Sequence, residues 1–175
     1  LMTGRLHAPV PAVVVAGPLY RGEGFSMLML FASTILLVGP AWCSHLCYFG
    51  AWDALAASNK KRSTRPPAWF AAARPLILAL VAAAALLMRA RGVSGYHASI
   101  AALAFGLAGL GIMAFVSRSR GYMAHCLAWC PLGLLAVLGG RLSPFRIRID
   151  EGCTDCGACS SSCRYDALRP EHIRA

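Results

Sequence analysis

Phe25 to Trp42 reads FSMLMLFASTILLVGPAW and carries no charge. A hydrocarbon core of about 30 Å takes roughly 17–25 apolar helical residues, so this stretch reads as a membrane span. Two more follow it. Trp69 to Met88 has LILALVAAAALLM at its centre, with Arg74 near its start, where a long cationic chain can snorkel to the interface. Ala98 to Val116 is rich in Ala and Gly, including Gly106, Gly109 and Gly111. Small residues of this kind let helices approach closely in lipid. Pro9 to Tyr20 and Cys126 to Gly140 are also apolar, but short and interrupted by Pro11, Pro18 and Pro131. Such pieces read as buried, interfacial or re-entrant rather than spanning. The prolines of 9–20, and the full span after it, argue against a secretory signal.

Composition agrees. Of 175 residues, 58% are hydrophobic and 14% charged, and mean hydropathy is +0.58. A soluble domain carries about 25% charged residues, so an ordinary soluble enzyme and a disordered tail are both excluded. The 17 Lys+Arg against 7 Asp+Glu give a formal charge of +10. No nucleic-acid motif accompanies that charge, so nucleic acid is not an expected partner. In a membrane chain a basic excess marks cytoplasmic loops. With three spans, and 126–140 not crossing, Lys60, Lys61, Arg62, Arg65, Arg74, Arg118 and Arg120 share a side with Arg141, Arg146, Arg148, Arg164, Arg169 and Arg174. Arg5, Arg21, Arg89 and Arg91 fall opposite. This bias places the C-terminal tail in the cytoplasm, and a crossing by 126–140 would abolish it.

The eight cysteines divide into three groups. Cys153, Cys156, Cys159 and Cys163 lie in CTDCGACSSSC, a C-x2-C-x2-C-x3-C run with the spacing of a bacterial ferredoxin cluster site. Three thiolates two residues apart on a tight loop can wrap one face of an iron–sulfur cube. Gly157 and Ala158 leave room, and free backbone N–H groups can bond the sulfurs. Zinc prefers two separated Cys pairs, and disulfides do not suit a reducing cytoplasm. The residue after the fourth cysteine, commonly Pro, is Arg164 here; it is expected to loosen the turn and place a positive charge beside the cluster. The tail from Arg141 to Ala175 is too short to bury a core unaided, so a cluster would supply the missing folding free energy.

The other two groups match each other. Cys43 and Cys47 lie in WCSHLCYFGAWD, and Cys126 and Cys130 in HCLAWCPLG. Each is C-x3-C, and each follows a span running in the same direction. On a helix, positions i and i+4 share a face, so two such pairs brought together offer four thiolates, enough for a second iron–sulfur cluster. The plain alternative is that these are small buried apolar residues. His45 and His125 beside them read as interfacial hydrogen-bonding histidines. Asp53 reads as a helix cap or a partner of the basic loop, and Trp42, Tyr48, Trp52, Trp69, Tyr122 and Trp129 as an aromatic belt. No phosphate loop, nucleophile triad or catalytic carboxylate pair is present, so no catalytic residue is assigned.

Paired C-x3-C-P motifs that close membrane helices and precede a ferredoxin run resemble the NapH/MauN-type membrane ferredoxins and the C-terminal half of NosR. The resemblance covers roughly residues 25–168. CLAWCPLG matches the motif fully, whereas CSHLCYFGA has Tyr48 in place of Pro. Such relatives usually carry two ferredoxin runs and this chain has one, so the ligation of Cys163 stays open between the tail cluster, a cluster shared with the C-x3-C pairs, and one completed by a partner subunit. The resemblance implies a quinol-linked or maturation-linked role in a respiratory chain. The expectation is an all-α membrane protein of about three full transmembrane helices with short re-entrant or interfacial helices. Residues 1–140 form the helical domain and 141–175 a cytoplasmic 4Fe–4S ferredoxin-like module. The expected role is electron transfer in a prokaryotic inner membrane, among lipid and the subunits of a larger redox complex, with quinone or ferredoxin as exchange partner. A maturation protein and a redox or iron sensor are the competing readings.

Overall fold

The computed structural model describes residues 10–39, 41–60, 64–144, 149 and 152–168. Among the described residues every regular element is helical. Arg5, Lys61, Arg62, Arg146, Arg148, Arg169 and Arg174, which enter the sidedness argument, lie outside them.

Helix α1 (Pro11–Arg21) starts with proline in its first turn, where a missing N–H removes no helical bond. It ends at Gly22, whose φ of +75° closes the helix through a 2.7 Å bond to the Pro18 carbonyl. α2 (Ser26–Val38) ends at Gly39, also at positive φ. After a π turn over Trp42–Leu46 comes α3 (Tyr48–Ala57). α4 spans Trp69–Ala90. α5 (Gly95–Ile112) runs on through a π turn at Met113–Ser117 into α6 (Arg118–Arg120). A third π turn (His125–Trp129), α7 (Pro131–Leu142) and the short α8 (Ala158–Ser162) complete the order.

Two helices are long and apolar enough to cross a membrane. These are Trp69–Ala90, of 22 residues, and the continuous rod Gly95–Arg120, of 26. Only 17% of each apolar window is buried, unlike a core helix of a soluble protein. Leu76, Leu80, Leu87, Leu103 and Leu107 point outward, a surface suited to lipid chains. The expected first span is different. Gly39 stops α2 after 13 residues, about 20 Å at 1.5 Å per residue and short of a 30 Å core. The remainder of that stretch enters the π turn. α7, with 12 residues, is shorter still. The 9–20 stretch is not merely interfacial: α1 packs against α4, with Val10, Ala12 and Val81 in one buried cluster.

The aromatic side chains split. Tyr48, Trp52 and Trp69 are exposed, as a belt requires. Trp42, Tyr122 and Trp129 instead pack inside. Trp42 meets Phe31 edge-on at 4.8 Å, and Tyr122 meets Phe70 at 5.6 Å. Trp129 stacks on Phe105 at 4.7 Å and donates its indole N–H to the Phe105 carbonyl at 3.2 Å. Helix crossings offer these rings more contact than the interface does.

Glycines set two of the closest approaches. A Cβ on Gly109 would stand 2.7 Å from the His125 ring, and one on Gly133 would stand 2.5 Å from the Cys126 carbonyl oxygen. The second is a clash with backbone, which cannot rotate away. Gly133→Ala is therefore expected to cost about 1–3 kcal/mol through overpacking. Gly111→Ala, which meets nothing within 4 Å, should be neutral or slightly stabilising. Thermal unfolding in detergent compares the two.

Candidate iron–sulfur site

The two C-x3-C motifs adopt one local structure twice. In each, a five-residue π turn begins one residue before the first cysteine and ends one residue before the second, which caps it. Cys47 donates its N–H to the Trp42 carbonyl at 2.9 Å, and Cys130 donates to His125 at 2.9 Å. Both second cysteines are extended, with φ/ψ of −83°/120° at Cys47 and −79°/117° at Cys130. A new helix starts directly after each. Pro131 suits that first helical position, since its N–H would be unpaired there. Tyr48 fills the same place without proline and with the same backbone. The expected i, i+4 helical face is thus replaced by a wide turn followed by a kink. π turns of this sort occur mostly at functional sites.

The turns converge. Each of the four thiols Cys43, Cys47, Cys126 and Cys130 lies within electrostatic range of the other three. Cys43, Cys126 and Cys130 are buried and Cys47 half-buried, and none is in a disulfide. The link between the motifs is Asp53, fully buried on α3. Its carboxylate accepts the Ser117 hydroxyl at 2.5 Å and the Cys126 N–H at 3.0 Å. Burial pushes its pKa above the ordinary carboxylate value, and those two bonds oppose the rise. Ser117 in turn accepts the Ala124 N–H at 3.0 Å. Asp53 is therefore neither a helix cap nor a partner of the basic loop: it ties the first motif to the second. A lone acid in the apolar stretch GAWDALAA was the signal for this role.

Two further side chains enter that the sequence did not place there. Arg74 is half-buried, donates from Nε to the Leu127 carbonyl at 2.7 Å, and lies 5.7 Å over the Tyr165 ring. It does not snorkel; its charge is felt at Cys43. Tyr165 comes from the tail and packs against Cys43, Cys126 and Cys130. Its neighbour Arg164 does not loosen the tail. The guanidinium donates to the carbonyls of Ala57, Gly121 at 3.3 Å and Lys60 at 3.1 Å, and the Arg164 carbonyl accepts the Met123 N–H at 3.0 Å. One of the two histidines departs from expectation. His45 is exposed, whereas His125 is buried against Phe49, with neither ring nitrogen hydrogen-bonded.

In the tail, Cys153, Cys156 and Cys159 are exposed and Cys163 half-buried. Gly157 at φ +69° turns the loop into α8. Backbone N–H groups reach the sulfurs there, as the spacing implied. Ala158 donates to Cys156, and with Thr154 it holds that exposed thiol below its ordinary pKa. Ala167 donates to Cys163 Sγ at 3.4 Å.

The donor chemistry suits a cluster better than a single ion. Among the described residues no group of three or more His, Cys, Asp or Glu could hold one metal ion. A zinc ion at about 2.3 Å from each sulfur would draw four thiolates to about 3.8 Å of one another. An iron–sulfur cube brings its own sulfides and spans a wider set. Four thiols within electrostatic range of one another, a nearby guanidinium and a buried phenol hydroxyl with no hydrogen-bond partner are donors of the kind such a cluster would use. A cavity of about 200 Å³ between α1, α4 and α5 is lined by no thiol.

A family profile described as a 4Fe–4S binding domain matches residues 20–65, which hold Cys43 and Cys47. The chain is 30% identical over 174 residues to YccM of Escherichia coli (strain K12), a protein whose name assigns it to electron transport. The alignment takes in 86% of this chain and 49% of the relative, so the chain spans about half the length of that curated relative. No solved structure matches the chain. The likeness is to a 4Fe–4S binding domain and to a protein named for electron transport, and it does not point to the NapH, MauN or NosR branch in particular.

Two predictions follow from the local chemistry. Asp53→Asn keeps the shape, but its single amide oxygen cannot accept both the Cys126 N–H and the Ser117 hydroxyl, and its NH2 group is set against one of these donors. A loss of about 1–3 kcal/mol is expected for the unmatched buried group, read by chemical denaturation. In iron-free protein, Cys156 should alkylate with a half-maximal rate at a pH below the value of about 8.5 for a free cysteine. Its hydrogen bonds favour the thiolate, so the profile shifts to lower pH. Mass-spectrometric mapping of iodoacetamide labelling across pH measures this.

Proposed function

We propose that the chain is a membrane-integral electron-transfer subunit with two iron–sulfur centres. Cys153, Cys156, Cys159 and Cys163 would hold a 4Fe–4S cluster, and Cys43, Cys47, Cys126 and Cys130 a second cluster at the edge of the membrane. Bound there, these clusters supply reversible one-electron chemistry. The observation that carries the reading is the convergence of two identically folded C-x3-C turns with the tail docked on them. Arg74 offsets negative charge at the buried site, and the apolar packing around it excludes water. The exposed thiols of the tail favour a donor that docks from the aqueous side, such as a ferredoxin, with quinone as the alternative. The basic bias of the loops favours a cytoplasmic tail in a prokaryotic inner membrane, with partner subunits of a respiratory-type complex receiving or supplying the electron.

Iron and acid-labile sulfide analysis with EPR, on the full chain and on a Cys43→Ser/Cys126→Ser variant, tests the assignment. The variant should lose one reducible centre and about half of the iron while the tail signal persists. An unchanged spectrum and iron content would refute a centre at the C-x3-C turns.

A further inference from the structure

Tyr165 belongs by sequence to the tail, two residues after Cys163, yet its ring belongs by packing to the buried site. It contacts the cluster that contains Cys43 and Cys130, the cluster that contains Cys126, and the cluster of Phe70, Tyr122 and Leu127. Its hydroxyl is buried and finds no hydrogen-bond partner of good geometry, and it approaches the Cys43 thiol. A phenylalanine would fill the same space without stranding a polar atom, so packing alone does not account for the oxygen. Buried polar groups are ordinarily satisfied, and each exception calls for an explanation such as a missing ion or a functional role. The neighbouring groups hold the ring rather than satisfy the oxygen. Arg74 lies over the ring face, and Arg164 fastens the adjoining backbone to Ala57, Lys60, Gly121 and Met123.

We infer that Tyr165 is a positioning residue for the buried centre: its hydroxyl donates a hydrogen bond to a cluster sulfur at Cys43, and the Arg164 clamp holds it there. The inference rests on the proposed second cluster. A hydrogen bond to a cluster sulfur stabilises the more negative, reduced state and so raises the reduction potential. The same residue makes Cys163–Arg164–Tyr165 a short covalent run from a tail thiol to the Tyr165 hydroxyl, from which only a non-covalent contact leads on to Cys43.

The test uses the full chain, reconstituted with iron and sulfide, and a Tyr165→Phe variant. Potentiometric EPR titration should show the potential of the buried centre falling in the variant, with the tail centre unchanged. Deuterium ENDOR should show, besides deuterons on the Leu132 and Gly133 N–H groups that reach Cys130, one exchangeable deuteron at Cys43 in the wild type and its loss in the variant. A second form, 3-fluorotyrosine at position 165, keeps the packing and strengthens the donor, so the potential should rise. If the buried centre has the same potential in all three proteins, or keeps the exchangeable deuteron at Cys43 in Tyr165→Phe, the inference is overturned while the cluster assignment stands. If the wild type carries iron for the tail alone, the assignment itself fails, and this inference with it.

Discussion

The pair of hydrogen bonds accepted by the Asp53 carboxylate, from the Ser117 hydroxyl and the Cys126 N–H, joins what would otherwise be two separate hairpins. α3 carries Asp53 away from the first thiol pair, and Cys126 opens the second. A carboxylate buried at that junction is unfavourable unless hydrogen-bonded, so the two motifs are held in one register or the site does not close. The long rods α4 and α5 supply the frame, but their lipid-facing sides specify no orientation between the turns.

The duplication has a physical logic. A C-x3-C pair on a regular helix would direct both sulfurs along one face. Widening that turn and kinking the chain at the second cysteine separates the sulfurs and starts a fresh helix, in both copies with nearly the same backbone angles. Two such turns gather four thiols, within electrostatic range of one another, into one site. The tail closes it, with Tyr165 over the thiols and Arg164 bound to carbonyls at the ends of surrounding elements. The family profile falls on the first turn, so the iron–sulfur signature of this chain is not confined to its ferredoxin run.

Much of this was legible in the residues. The spacing of the tail thiols announced cluster chemistry, and the repeated C-x3-C motif announced a pair of equivalent structures. The two long helices appeared where the apolar runs placed them. The reading of Phe25–Trp42 as one span fell short because hydropathy averages over Gly39, whose positive φ ends the helix early. Arg74 was taken for an interfacial cation because snorkelling is the ordinary fate of such a residue. Its actual partner, the Leu127 carbonyl, is 53 residues away. Trp129 and Tyr122 were assigned to the interface for the same reason: aromatic composition says nothing about which helix crosses nearby.

The sequence by itself determined the thiol spacing and the apolar helices, because spacing and hydropathy are local quantities that a few consecutive residues carry. Tertiary structure decided that the two thiol pairs meet, that Asp53 joins them and that the tail reaches back through Tyr165. Those contacts connect residues 64 to 107 positions apart. Several of their partners, such as the Cys126 N–H and the Ala57 carbonyl, are backbone groups that every residue offers and no motif marks.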